Sequence, residues 1–191
     1  MWCVDKNLNS MLKINHSLAS LTLVILSTLL LTACGESKVV QCNKFAQVNE
    51  NVRVSLAKYA EKNQALDKKV SKDLAGFTVL ARERSQYLSQ SAIGFNAALK
   101  IIEGLNVKDD KLKSFKDEYI NITKSIKEST QELSKIASKQ GQSTEIDLKN
   151  GSLPQLEQDF ETVSVKIATS GKAEKKLMDN FNAYCSGSQN K

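Results

Sequence analysis

Apolar side chains return at steps of three and four residues along most of this chain. That spacing leaves little choice of fold, because it gathers them on one stripe of an α-helix. A first stripe holds Phe45, Val48, Val52, Leu56, Tyr59, Leu66 and Val70. A second holds Leu74, Phe77, Ala81, Leu88, Phe95, Ala98 and Ile102, with Arg84 and Ser91 in intervening slots. Leu112, Phe115, Tyr119, Ile122, Ile126, Leu133 and Ile136 form a third, and Leu156, Phe160, Val163, Ile167, Leu177, Phe181 and Tyr184 a fourth. The period is helical rather than the alternation of a half-buried strand, so four helices are expected, each buried along one stripe.

Terminal residues place the breaks. Gly104 followed by Leu105 predicts a Schellman C-cap, and Asp109 or Asp110 can cap the next helix. Gly141 is expected to stop the third helix. Ser152 and Gln155 have capping-box spacing, with Pro154 in the first turn. Between the first two stripes only Ser71, as an N-cap, and Asp73, in an acidic first turn, mark a boundary, and no Gly or Pro interrupts the chain. A single helix from Val39 to Glu103 is therefore the rival arrangement.

The amino-terminal segment follows a different logic. Lys13 precedes an uncharged apolar run, Leu18 to Leu31, which ends in Leu31-Thr32-Ala33-Cys34. A basic start, a short apolar stretch and small residues at the cleavage point compose a secretory signal. A membrane span needs about 20 apolar residues, and this stretch is shorter and carries Ser20, Thr22, Ser27 and Thr28. The Leu31-Thr32-Ala33-Cys34 segment resembles the lipobox of bacterial lipoproteins. That resemblance implies diacylglycerol on the Cys34 sulfur, cleavage before Cys34 and acylation of the new amino terminus. It covers this segment alone, and the remainder is assigned to no specific family. The compact Met11-Leu12-Lys13 opening suits translation from Met11.

The expected organisation is a signal peptide over 1–33, a lipidated tether over 34–41, a helical bundle over 42–185 and a flexible tail over 186–191. Cleavage leaves 158 residues, enough for one domain with a real core. Their charge is +5, from 25 basic and 20 acidic residues. Lys, Glu and Asp are interspersed throughout, as on a solvated surface. Gly35, rather than Asp, follows the lipidated cysteine. This resembles the proteobacterial sorting pattern for the periplasmic face of the outer membrane, the outer face of the cytoplasmic membrane being the alternative.

With Cys3 removed and Cys34 acylated, Cys42 and Cys185 remain. An even pair in an exported protein reads as a disulfide, with two free thiols or an intermolecular bridge as alternatives. Disulfide geometry needs α-carbons within about 7 Å. An up-down-up-down antiparallel four-helix bundle returns the last helix end to the first. One helix of more than 60 residues in place of the first two would instead be roughly 90 Å long and strand Cys185 far from Cys42. The expected fold is therefore all-α, the four-helix bundle following a lipoprotein signal peptide.

The only histidine, His16, lies in the leader. Its loss excludes a Ser-His-Asp triad, a Cys-His pair, histidine-ligated haem and the Glu-x-x-His sets of di-iron bundles. No phosphate-binding glycine loop or CxxC pair appears, and no basic stripe interleaves with aromatics for nucleic acid. No catalytic residue, metal ligand or cofactor is assigned, beyond the lipid on Cys34. Arg84 and Glu174 intrude on apolar stripes, where charges seldom sit without a partner. Arg84 is expected level with Glu61 and Glu128, and Glu174 with Tyr119 and Ser91. The long connection from Gly141 to Gly151 offers Ile146 and Leu148 to a protein partner in the envelope. Together these features describe a non-enzymatic envelope lipoprotein whose bundle is an interaction or structural module held to the membrane by its lipid. The alternative is a binder or sensor of a small apolar ligand or lipid within the bundle, near Gly76, Gly94 or Gly171. Mass spectrometry of the amino terminus in the native envelope is expected to find Cys34 first and carrying lipid. An unmodified Cys34 removes the anchor.

Overall fold

The computed structural model describes residues 36–69, 71 and 73–187, so the leader, Cys34, Val70 and residues 188–191 lie outside it. The chain divides into the units Met1–Ser37 and Lys38–Lys191. Among the described residues there are five helices and no strand: α1 Lys38–Asp67, α2 Leu74–Glu103, α3 Asp110–Gln140, α4 Glu145–Lys149 and α5 Ser152–Ser186. They pack as a helical bundle, with α2 on α3 and α3 on α5 the closest partners and α1 resting mainly on α2.

The first two stripes form separate helices. Asp73 makes the boundary, its carboxylate accepting the Gly76 N–H at 2.7 Å. Asp109 does the same for α3, accepting from Leu112 N–H at 3.0 Å. Residues 38–41, expected in the tether, are helical. Gln41 is buried, and its side-chain oxygen accepts the N–H groups of Lys108 at 2.6 Å and Asp109 at 3.0 Å. These bonds tie the first turn of α1 to the α2–α3 connection.

Three local expectations need correction. Gly104 is right-handed, with φ −68°, so no Schellman turn forms on it. The turn tightens instead, Leu105 N–H reaching Ile102 O, and Lys116 donates to the carbonyls of Glu103 and Leu105, both at 2.7 Å. Ser152 and Gln155 form no capping box: Gly151 is the N-cap, at φ +73°, a conformation that glycine adopts without steric cost. Ser152 donates to Asp147 O and Gln155 pairs with Asp159. The box belongs to Thr144 and Asp147, and it builds α4 inside the connection that was expected to be a loop.

At one end of the bundle the sulfurs of Cys42 and Cys185 lie at bonding distance, with α-carbons 5.9 Å apart. Phe45 stacks on Phe181 beside them at 4.5 Å between centroids, and Phe115 meets Phe181 edge-on at 6.1 Å. This end holds the larger core cluster, including Ile102, Leu112, Tyr119 and Leu177. A smaller cluster of Leu88, Leu133, Ile136, Ala137 and Val163 lies farther along the helices. On the α2–α3 seam, Ser85 Oγ donates to Ser134 O at 2.9 Å and Ser134 Oγ to Ser85 O at 2.8 Å. The two backbones approach closely through these small hydroxyl side chains.

Cys42 and Cys185 are 143 residues apart. Replacing both by serine is expected to lower unfolding stability by about 5 kcal/mol in the chain-entropy account. Chemical denaturation of the oxidised protein and the double variant measures the difference. Equal midpoints would mean that the bridge constrains nothing.

Candidate ligand cavity

Between the two core clusters the helices do not close on one another. Leu56 and Tyr59 of α1, Tyr87, Leu88, Ser91 and Phe95 of α2, Ile126, Thr130 and Leu133 of α3, and Phe160, Ser164 and Ile167 of α5 surround a cavity of about 500 Å³. On the α2 and α3 side, Tyr87, Leu88, Ser91, Thr130 and Leu133 are buried and form a floor. Leu56, Tyr59, Phe160, Ser164 and Ile167 are half-buried and form the rim. Helices α1 and α5 touch little, so the opening runs between them.

The chemistry of the wall is apolar in practice as well as in composition. None of the described lining residues is charged. The hydroxyls of Ser91, Thr130 and Ser164 each donate to the carbonyl four residues earlier on their own helix, at 3.0, 2.8 and 2.8 Å. Tyr87 donates its hydroxyl across to the backbone carbonyl of Tyr59, and burial raises its pKa. With these donors turned to carbonyls, the cavity presents mainly hydrocarbon. Its volume falls within the usual range for small-molecule sites, roughly 300 to 1,000 Å³.

Glycine contributes here by closeness rather than by openness. A Cβ on Gly94 would lie 2.4 Å from the Tyr59 ring, so this glycine is the seat that lets α1 lean on α2 beside the rim. A Cβ on Gly76 would meet Ser71 Oγ at 2.8 Å, whereas Gly171 is exposed with nothing within 4 Å. None of these three glycines lines the cavity. Tyr87, Thr130 and Ser164 do, although the apolar pattern singles out none of them.

Among the other singled-out residues, Arg84 is half-buried on α2, one turn before Leu88, and its guanidinium carbon lies 5.4 Å from the centre of the Phe160 ring. Glu61 and Glu128 are exposed. Glu174 is half-buried on α5, and burial raises its pKa. Tyr119 is 1% exposed, and its hydroxyl donates to Asn49 Oδ1 at 3.0 Å. Burial, with the nearby Glu174 charge, holds this phenol far above its ordinary range. Ile146 is 67% exposed on α4, and Leu148 has no described side chain.

Near the disulfide, Asp109 accepts hydrogen bonds from the Tyr184 hydroxyl at 2.9 and 3.0 Å. Burial pushes its pKa up, but the Leu112 N–H, the Tyr184 hydroxyl, the Lys111 N–H and the Lys38 charge outweigh that and lower it. This cluster ties chain segments together. Among the described residues no three His, Cys, Asp or Glu side chains are grouped to hold a metal ion, and no helix is long and apolar enough to cross a membrane.

No protein-family model matches the chain, and no match was found among curated proteins or solved structures. Function is therefore argued from the cavity itself.

Glu174 generates a pH prediction with a definite sign. Its folded pKa is raised above 4.5, so the folded state holds the proton more tightly than the unfolded state. The stability that Glu174 contributes is fully present below 4.5 and is lost as pH rises from there through the raised value. Glu174→Gln is expected to raise the melting temperature at neutral pH and to lose that advantage in acid. A gain of equal size at both pH values would assign the effect to packing.

Proposed function

We propose that this chain is a non-enzymatic, lipid-anchored protein of the bacterial cell envelope, whose helical bundle takes a small apolar ligand into the cavity between its helices. The cavity carries this reading: about 500 Å³ with no charge among its described lining residues, and with the Ser91, Thr130 and Ser164 hydroxyls bonded back to their own helices. An apolar cavity of this size favours a ligand that buries hydrocarbon in it. The anchor rests on the resemblance of Leu31-Thr32-Ala33-Cys34 to a lipobox.

In this proposal the four long helices run up-down-up-down, with α4 as an insert between the third and the last. Two pairings support that order. Ser85 meets Ser134 while Gly141, seven residues beyond, approaches the Thr78 carbonyl, seven before. Cys42 and Cys185 bring the start of α1 to the end of α5. Lipidation at Cys34 would then put the bilayer near the disulfide end, since the intervening segment is short.

The interaction-module reading has its own support in Ile146, presented to solvent on a helical turn fixed by the Thr144–Asp147 box. Fluorescence titration with N-phenylnaphthylamine, a neutral apolar reporter, separates the two. Binding is expected to saturate at one reporter per chain and to weaken at least tenfold when Leu88→Trp fills the floor. A reporter that does not bind, together with cross-linking of an envelope protein at position 146, favours the interaction module.

A further inference from the structure

The ligand class can be narrowed, on the reading that the cavity is a binding site. We infer that the cavity takes a single-chain amphiphile with a carboxylate head, its hydrocarbon chain among the four long helices and its head beside Arg84. Three observations meet in this assignment.

The first is size. Along α2 the lining runs from Tyr87 to Phe95, and along α5 from Phe160 to Ile167. At about 1.5 Å per residue each span is about 10 to 12 Å long. A volume of about 500 Å³ holds on the order of fifteen water-sized groups. That suits one chain of medium length.

The second is polarity along the cavity. None of its described lining residues is charged, so a charged head is best placed at an end. The Tyr87, Leu133 and Phe160 level is one end of the lining, and Arg84 stands one turn beyond Leu88 at that end. Its guanidinium is 5.4 Å from the ring of Phe160, itself a rim residue. The cation is thus joined to the cavity through a shared side chain.

The third is the chemistry of that cation. A guanidinium is a planar fork with five N–H donors, able to lie over an aromatic ring while its edge receives a carboxylate. The seat is half-buried, where such charge-assisted bonds are stronger than in open water. A cationic head would meet repulsion at the same place. A neutral head would gain only the burial of its chain.

The test uses the full-length chain with decanoate, decanol and decyltrimethylammonium as competitors for bound N-phenylnaphthylamine. Decanoate is expected to displace the reporter at concentrations at which decyltrimethylammonium does not, and its advantage should shrink as salt is added. Arg84→Gln is expected to weaken decanoate about tenfold and leave decanol unchanged, whereas Arg84→Lys should restore part of the loss. Helical circular dichroism and the melting temperature show whether each variant folds. The head-group series on the unaltered chain stands whether or not they do. Equal competition by the anionic and cationic chains overturns the assignment, as does an equal loss of decanoate and decanol in a folded Arg84→Gln. In both cases the reporter still binds and the cavity reading survives. A reporter that never binds removes that reading along with this one.

Discussion

The bundle is closed firmly at one end, and the rest of its interior follows from that asymmetry. Cys42, Phe45 and Gln41 fasten the first turns of α1 to α5 and to the α2–α3 connection, through a disulfide, a ring stack and two backbone hydrogen bonds. Beyond this point α1 leans on α2, with Tyr59 seated on Gly94. It does not close against α5. The hydrocarbon interior is divided into two clusters, and the space between them is the cavity. A core closed along its whole length would be more stable and would have nowhere to put a ligand.

The polar groups sort themselves by the same asymmetry. At the disulfide end they tie chain segments together: Asp109 caps α3 and holds Tyr184, while Lys116 covers the carbonyls at the end of α2. Around the cavity, the Ser91, Thr130 and Ser164 hydroxyls bond within their own helices, while that of Tyr87 reaches across to Tyr59. Arg84 differs from both groups. Its charge lies against an aromatic ring at the cavity's edge.

Much of the fold is legible in the spacing of apolar residues. All stripe positions with described side chains are buried or half-buried, because helix period and burial are set by the same geometry. Asp109 is visible as a cap because it acts over three residues, whereas Asp73, expected in the first turn after a Ser71 cap, is itself the cap. Gly104, Ser152 and Gln155 mislead, since long-range contacts decide those ends: Lys116 covers the α2 terminus, and α4 supplies Asp147 O to Ser152. The cavity is only half legible. Ser91 and Thr130 fill slots that the apolar stripes skip, and both slots face the cavity, so the gaps in the pattern are its signature. That the gaps coincide in space depends on how helices from distant parts of the chain are aligned, which no local pattern records.

The serine seam between α2 and α3 inverts the usual ranking of replaceable positions. Ser85 and Ser134 bond to one another's backbone. At the end of the same seam, a Cβ on Gly141 would stand 3.1 Å from Arg82 N and 3.3 Å from Thr78 O. Backbone is there on both sides, and a larger side chain has nowhere to turn. The cavity wall, by contrast, has free volume in front of it and can accept one apolar group in place of another. In this protein the interior least tolerant of a larger side chain is small and polar, and the interior with room for one is large and apolar.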